Sequence, residues 1–276
     1  MRVLVLGSSG QLGKCLQDQL KTKDNSIFFR DKSQINIKNF KETEKEISKL
    51  CPDIIINAAA YTAVDLAESN HNEANLINNL SVENIARISK SLNSILIHIS
   101  TDYVFDGEFN EPYTEKAVSN PSTVYGLSKL NGEQSIKNSK CMYIIIRTSW
   151  LFSEYNNNFF KTMLNVSNSK KELEVVCDQF GTPTYAQDLA RALNKVVERV
   201  ENKNFELGTF HYGGNSTCSW YDFACEIFNQ LNSDIKVIPV TSDKFPTKAS
   251  RPLNSSLNSN KIVLSYDVNS SDWIKG

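Results

Sequence analysis

The chain has 276 residues, and its 30 lysines and arginines nearly balance 31 aspartates and glutamates, for a formal charge of −1. That balance excludes the electrostatic footprint of a nucleic-acid or anionic-membrane binder. An apolar content of 40%, spread along the whole chain, excludes disorder, and no apolar run approaches the ~20 residues that span a bilayer.

The first segment, "RVLVLG" (2–7), reads as a strand at once, with no separate apolar stretch ending in a small-residue cleavage site, so no secretory leader is expected. "SIFF" (26–29), "DIIINA" (53–58), "SILIHIS" (94–100) and "MYIIIRT" (142–148) are short, β-branched and apolar without alternation. Such runs mark strands covered on both sheet faces. Helical patterns lie between them at 11–22, 39–50, 72–92 and 122–138. Strand–helix alternation predicts an α/β fold, a Rossmann-like doubly wound parallel sheet, over residues 1–150. After Trp150 the rhythm changes. "NNFFKTML" predicts a helix, "LEVV" a short strand, 185–200 an amphipathic helix, and "SWYDFACEIFNQL" and "KVIPV" a further helix and strand. "GTFHY" stands between those helices, and a Ser/Asn/Pro-rich tail closes the chain. Residues 151–276 therefore read mainly as a smaller α+β substrate domain, with helix 185–200 returning to the first.

Six cysteines (15, 51, 141, 177, 218 and 225) are scattered without a CxxC pair, the pattern of reduced thiols in a cytoplasmic protein. His71, His98 and His211 are too dispersed for a metal cluster. His98, flanked by apolar residues on a strand, reads as a satisfied core histidine.

"GSSGQLG" (7–13) follows the first strand and opens the first helix. Gly7 allows a tight turn, Gly10 close approach of backbone to a pyrophosphate, and Gly13 close helix–strand packing. Ser9, Gln11 and Leu12 belong to the same turn, and the helix N-terminus offers free N–H groups to phosphates. A plain βα turn is the competing reading. The GxxGxxG spacing resembles the short-chain dehydrogenase/reductase superfamily. After the second strand, Arg30 and Asp31 fall where an adenosine ribose would lie. The acid suits a ribose 2′-hydroxyl and Arg30 with Lys32 a 2′-phosphate, so the cofactor expected is NADPH, with NADH possible.

"PSTVYGLSKLNGE" (121–133) places Tyr125 and Lys129 four residues apart, and Asn120–Pro121 predicts the helix start. A lysine ammonium beside a phenol favours the phenolate and brings tyrosine acid–base chemistry nearer neutral pH. A solvated helix face is the bland alternative. Thr101 ends the strand in "ISTDYVFDG" (99–107), at the edge where open sheets bind ligands, and its hydroxyl can meet a developing oxyanion. A capping hydroxyl is the alternative. Taken with the glycine turn, Thr101, Tyr125 and Lys129 read as a catalytic triad.

"NAAAYTAVDLAE" (57–68), "STDYVFDG", "VYGLSKLNGE", "RTSWLF" (147–152), "DQFGTPTYAQDLA" (178–190), "GTFHYGG", "SWYDFA" and "RPLNSSL" (251–257) follow one another as they do in dTDP-4-dehydrorhamnose reductases, and the chain resembles that family over nearly its whole length. The resemblance implies NAD(P)H-dependent reduction of the 4-keto group of dTDP-4-dehydro-β-L-rhamnose. It implies a dTDP-sugar as partner, with no nucleic acid or membrane, in a monomer or homodimer. Tyr125 would donate the proton, Lys129 would partner it and hold cofactor ribose, and Thr101 would bind the carbonyl. Ala58, Ala59, Ala60 and Tyr61 would line the cofactor, although tight packing explains small residues equally. Asp102, Tyr103, Trp150 and Arg251 would meet the substrate, Trp150 against the hexose and Arg251 at the diphosphate; core packing and a surface ion pair are their alternatives. Some members hold magnesium through acidic residues, one of them in the first helix. Cys15 stands near that place here, so no metal is expected. The C-terminus reads as lacking much of the family's last helix. Two other readings are a regulatory subunit like that of methionine adenosyltransferase and a reductase of another 4-keto-6-deoxy sugar nucleotide.

Overall fold

The computed structural model describes residues 1–23, 26–167 and 169–275. In the first half, β1 (Val3–Leu6) leads into α1 (Gln11–Gln19), and β2 (Ile27–Arg30) into α2 (Phe40–Leu50). β3 (Ile54–Asn57) leads into a broken helical stretch: α3 (Val64–Ala67), α4 (His71–Asn75), a π-helical turn at Leu76–Leu80 and α5 (Ser81–Ser91). β4 (Ile95–Thr101), α6 (Val124–Ser139) and β5 (Met142–Thr148) follow. The second half contains β6 (Leu151–Phe152), α7 (Phe159–Ser167), β7 (Glu172–Val176), β8 (Phe180–Gly181) and β9 (Thr184–Tyr185). It continues through α8 (Ala186–Glu201), β10 (Gly208–His211), β11 (Cys218–Ser219), α9 (Trp220–Gln230), β12 (Lys236–Val240) and α10 (Asn260–Tyr266).

The central sheet runs β10-β5-β4-β3-β1-β2, every neighbour parallel. All side chains of β1 and β3 are buried, because helices cover both faces. On one face α1 and α8 bury Leu16, Leu189, Leu193 and Val197, joined by Ile262 and Tyr266 of α10. On the other, Ile47 of α2, Ile85 and Ile88 of α5 and Ile136 of α6 pack on Leu4, Ile55 and Leu96. This is a doubly wound, Rossmann-like α/β fold. The chain moves outward from β1 to β2 and then returns to β3 on the other side of β1. The switch point thus lies between the carboxyl ends of β1 and β3, where such folds bind ligands.

β10, within "GTFHY", is the sixth strand of this sheet, with Gly208 opposite Ile144 and His211 opposite Arg147. A smaller cluster forms where α7 and α9 pack with the parallel pair β7 and β12 around Phe152, Met163, Phe223 and Phe228. Two boundaries differ from the sequence pattern. α1 ends at Gln19, and α6 begins at Val124 instead of after Asn120–Pro121. Thr123 is the N-cap because its hydroxyl accepts from the Gly126 N–H at 3.0 Å, satisfying a donor that Asn120 is too far back to reach. Among the described residues no helix is long and apolar enough to cross a membrane, and all six cysteines are free thiols.

Candidate active site

The glycine turn is shaped by contacts that exclude side chains. Gly7 has φ +82°, and a Cβ on it would lie 2.7 Å from the Ala59 nitrogen. A Cβ on Gly13 would lie 2.3 Å from the Gly7 carbonyl oxygen, so helix and strand meet backbone to backbone. Gly10 caps α1 without a side-chain hydrogen bond, and the first turn carries no acidic residue. The amides and positive dipole end of α1 are therefore open to an anion. Gly7, Ser9, Gly10, Ala58, Ala59, Ala60 and Tyr61 line a cavity of about 360 Å³. Gln11 and Leu12 line a second cavity of about 520 Å³ that shares Gly10, Ala58, Ala60 and Thr62 with the first. Together they make one cleft across the switch point, and its glycine-and-alanine floor fits an extended dinucleotide.

Arg30 and Asp31 are placed differently from the sequence expectation. Asp31 folds back on its own turn, accepting from the Ser33 hydroxyl at 2.6 Å and the Ser33 N–H at 2.8 Å, which holds its carboxyl below the usual range. Arg30 donates to the Phe29 carbonyl at 2.9 Å and lies over the Phe28 ring. Neither lines the cleft, whereas Lys32 does. An Asx-type turn uses up the acid locally, a competition that single-residue spacing does not reveal.

Thr101, Asp102, Tyr103, Tyr125 and Lys129 all line the larger cavity. The Thr101 hydroxyl donates to Asp102 Oδ1 at 2.9 Å and accepts from the Tyr103 N–H at 3.2 Å. Asp102 is buried, its Oδ2 has no hydrogen-bond partner among the described residues, and burial pushes its carboxyl up to about 6. The Tyr103 ring meets Tyr125 edge-on at 5.6 Å. Burial pushes Tyr125 up to about 12, against the pull of the Thr101 hydroxyl, with Asp102 adding to the rise. The expected lowering of the phenol by a lysine ammonium is not what this geometry produces. The Lys129 amine is turned toward the sheet, donating to the Ile99 carbonyl at 2.7 Å and meeting His98 Nε2 at 3.2 Å. Burial pulls it down to about 8, with Glu133 opposing.

α6 is held in place by a buried ion pair that sequence gave no sign of. Glu133 accepts from Arg147 Nε at 2.9 Å and Nη2 at 2.7 Å, and from the Ser100 hydroxyl at 2.6 Å. Arg147 keeps the Glu133 carboxyl ionised despite full burial. The pair ties the helix carrying Tyr125 and Lys129 to β4 and β5.

Trp150, which also lines the cavity, adopts φ +47°, an uncommon conformation for a bulky residue, and lies flat on Trp220. Gly181 lets that indole in, since a Cβ there would sit 2.4 Å from Trp150 Cε2. Trp220, Phe159 and Asn156–Asn158 also line the cavity. Asn158 donates to Gln11 Oε1 at 2.7 Å and Asn156 to the Ser9 carbonyl at 3.2 Å, bringing this loop over the glycine turn. None of these was singled out from sequence, because each comes from the second half of the chain, without a spacing that links it to the first. Arg251 does not line the cavity. Its Nη2 pairs with Asp65 at 2.6 Å, while its buried Nη1 has no partner among the described residues. The ion-pair alternative therefore describes its position here. Among the described residues no three His, Cys, Asp or Glu side chains converge as a metal site, and burial pushes the Cys15 thiol up to about 12.

The family model described as the RmlD substrate binding domain matches residues 1–276. A dTDP-4-dehydrorhamnose reductase of Aggregatibacter actinomycetemcomitans is 39% identical, covering 99% of this chain and 95% of that protein. Among solved structures, a dTDP-4-dehydrorhamnose reductase from Bacillus anthracis in complex with NADP superposes with a TM-score of 0.94 at 38% identity, covering 99% of this chain and 96% of that one. A dTDP-4-dehydrorhamnose reductase from Clostridium acetobutylicum superposes with a TM-score of 0.93 at 40% identity, covering 100% of this chain and 96% of that one. With its whole length matched at that level, the chain belongs to the RmlD family, that of the dTDP-4-dehydrorhamnose reductases.

Proposed function

We propose that the chain reduces the 4-keto group of dTDP-4-dehydro-β-L-rhamnose to give dTDP-L-rhamnose, with NADPH as the favoured reductant. The observation that carries this reading is the Thr101–Tyr125 pair at the rim of a cavity continuous with the glycine turn. NADPH, when bound, supplies the hydride. Gly7, Ser9, Gly10 and the N-terminal amides of α1 would hold its pyrophosphate, Ala58–Tyr61 would line it, and Lys32 would meet a 2′-phosphate. Tyr125, kept protonated by burial, gives its proton to the oxygen that becomes the 4-hydroxyl. Thr101 steadies that oxygen as charge develops, which requires its hydroxyl to turn from Asp102 to the substrate. In this reading residues 1–150, with α8 returned to them, carry the dinucleotide, while residues 151–276 bring Trp220 and Phe159 to the sugar. A small soluble substrate and reduced thiols favour a cytoplasmic setting.

Consumption of NADPH with a panel of 4-keto-6-deoxy sugar nucleotides tests the proposal. Turnover is expected with dTDP-4-dehydrorhamnose above the other sugars. Tight cofactor binding with no oxidation by any member would overturn it in favour of a binding subunit.

A further inference from the structure

The chain between β6 and α7 lies as a strap on the start of α1. Tyr155 donates its hydroxyl to Asp18 Oδ2 at 2.9 Å, and the Lys14 ammonium stands over the Tyr155 ring at 5.5 Å. Lys14 also donates to Asn156 Oδ1 at 3.3 Å. Asn156 sits at φ +56°, a left-handed conformation that asparagine tolerates, and its Nδ2 donates to the Ser9 carbonyl at 3.2 Å.

Asn158 closes the strap and starts α7. Its Oδ1 accepts from the Lys161 N–H at 3.0 Å and its carbonyl from the Thr162 N–H at 3.0 Å, the pattern of a helix N-cap. A backbone N–H can only donate, so the cap fixes the amide with its oxygen to α7 and its nitrogen away from it. That nitrogen donates to Gln11 Oε1 at 2.7 Å and to the Ser153 carbonyl at 2.8 Å. Facing a donor, Gln11 must present its own oxygen, which leaves its Nε2 as the end free to serve a ligand. Gln11 is the first residue of α1 and lines the larger cavity. Beside the open amides of that helix, the acceptor which suits a further N–H donor is a phosphate oxygen.

The other side of Asn158 faces the aromatic wall. Phe159, the first residue of α7, lines the cavity, and its ring centroid lies 4.7 Å from that of Trp220. One amide is therefore bonded both to the glycine-turn side of the cleft and to the helix start that carries Phe159.

We propose that Asn158 is a positioning residue coupling the two parts of the cleft: through Gln11 it aims a donor at the pyrophosphate of a bound dinucleotide, and through its cap it passes the ordering of that site to α7. A phosphate held by Gln11 Nε2 fixes the Gln11 side chain, hence the oxygen that Asn158 donates to, and so removes freedom from the amide that caps α7. Filling the first site thus lowers the entropic cost of ordering the second, and the coupling is reciprocal. That the ligand is a dinucleotide rests on the function proposed above; the orientation of the two amides does not.

Amide hydrogen exchange of the intact chain, read residue by residue with and without saturating NADP⁺, tests the link. In the wild type, exchange should slow both at residues 7–13 and at Lys161 and Thr162, by about fivefold or more at the latter pair. Asn158→Ser keeps a side-chain oxygen for the Lys161 N–H, since serine caps as well as asparagine, but loses the donor to Gln11. Residues 7–13 should then stay protected by NADP⁺, while the slowing at Lys161 and Thr162 falls to within about twofold of none. Protection that stops short of Lys161 in the wild type, or that reaches it equally in Asn158→Ser, overturns the link alone. NADP⁺ that protects nothing at residues 7–13 overturns the proposed function, and the link with it. A second measurement starts from the other end of the bond. Asn158→Ser and Gln11→Leu should each raise the Kd for NADP⁺ roughly three- to tenfold, the size of one hydrogen bond, and the double variant should bind no more weakly than Gln11→Leu. Fully additive losses would show two independent effects and overturn the coupling.

Discussion

Trp150 and Trp220 lie face to face, ring centroids 3.4 Å apart and planes within 4°, although the two residues are 70 positions apart on the chain. Both indoles line the cavity. An apolar ring face suits the hydrophobic side of a hexose or a base.

Removing the lower indole tests that role. Trp220→Ala should raise KM for the sugar nucleotide by roughly tenfold, the ~1.4 kcal/mol scale of one aromatic stack, while the Kd for NADPH stays within about twofold. Trp220→Phe should recover part of the loss. Steady-state kinetics and cofactor titration separate the two effects.

Tyr125→Phe keeps the ring against Tyr103 but removes the proton. A general acid contributes about 10²–10⁴-fold, so kcat should fall by that order with NADPH binding preserved. Near-normal turnover would require another donor, and Asp102, buried and pushed up to about 6, would be the next group to replace.

Cofactor choice should rest on Lys32, because the Asp31 carboxylate is occupied by Ser33 while Lys32 lines the cleft with Gly7 and Ser9. Lys32→Ala should raise KM for NADPH about tenfold, the size of one charge-assisted hydrogen bond, and leave KM for NADH nearly unchanged. Equal effects on both cofactors would place Lys32 away from the 2′-phosphate.

Glu133 and Arg147 should govern stability. Glu133→Gln leaves a buried guanidinium without its counter-charge and should cost about 3–5 kcal/mol, read as a lowered midpoint in urea. The folded-state carboxyl lies below its ordinary value of 4.5. Its contribution is therefore complete above that value and fades as pH falls through the lower folded value. Wild-type stability should decline on acidification in that window, and the variant's acid limb should be flatter.

Much of this molecule follows from local signals. Short β-branched runs such as "IIIN" and "VLVL" suit buried strands, and a glycine turn between strand and helix needs no distant partner to be recognised. A four-residue spacing also put Tyr125 and Lys129 on one helix face, and both do line the cavity with Thr101. What the local pattern carried was the identity of elements and the residues at strand ends, because period and turn geometry are set by neighbours in sequence.

Where a side chain spends its hydrogen bonds was decided by tertiary structure. Lys129 points at His98 and Ile99 because β4 lies beneath α6; Asp31 turns to Ser33; Arg251 meets Asp65 from 186 positions away. The strand "GTFH" joins β5 and not the smaller cluster because its register with Ile144–Arg147 completes the sheet edge. Burial, register and competing partners are properties of the packed chain. They push the Tyr125 phenol up and pull the Lys129 amine down, directions that the spacing of those two residues alone leaves undetermined.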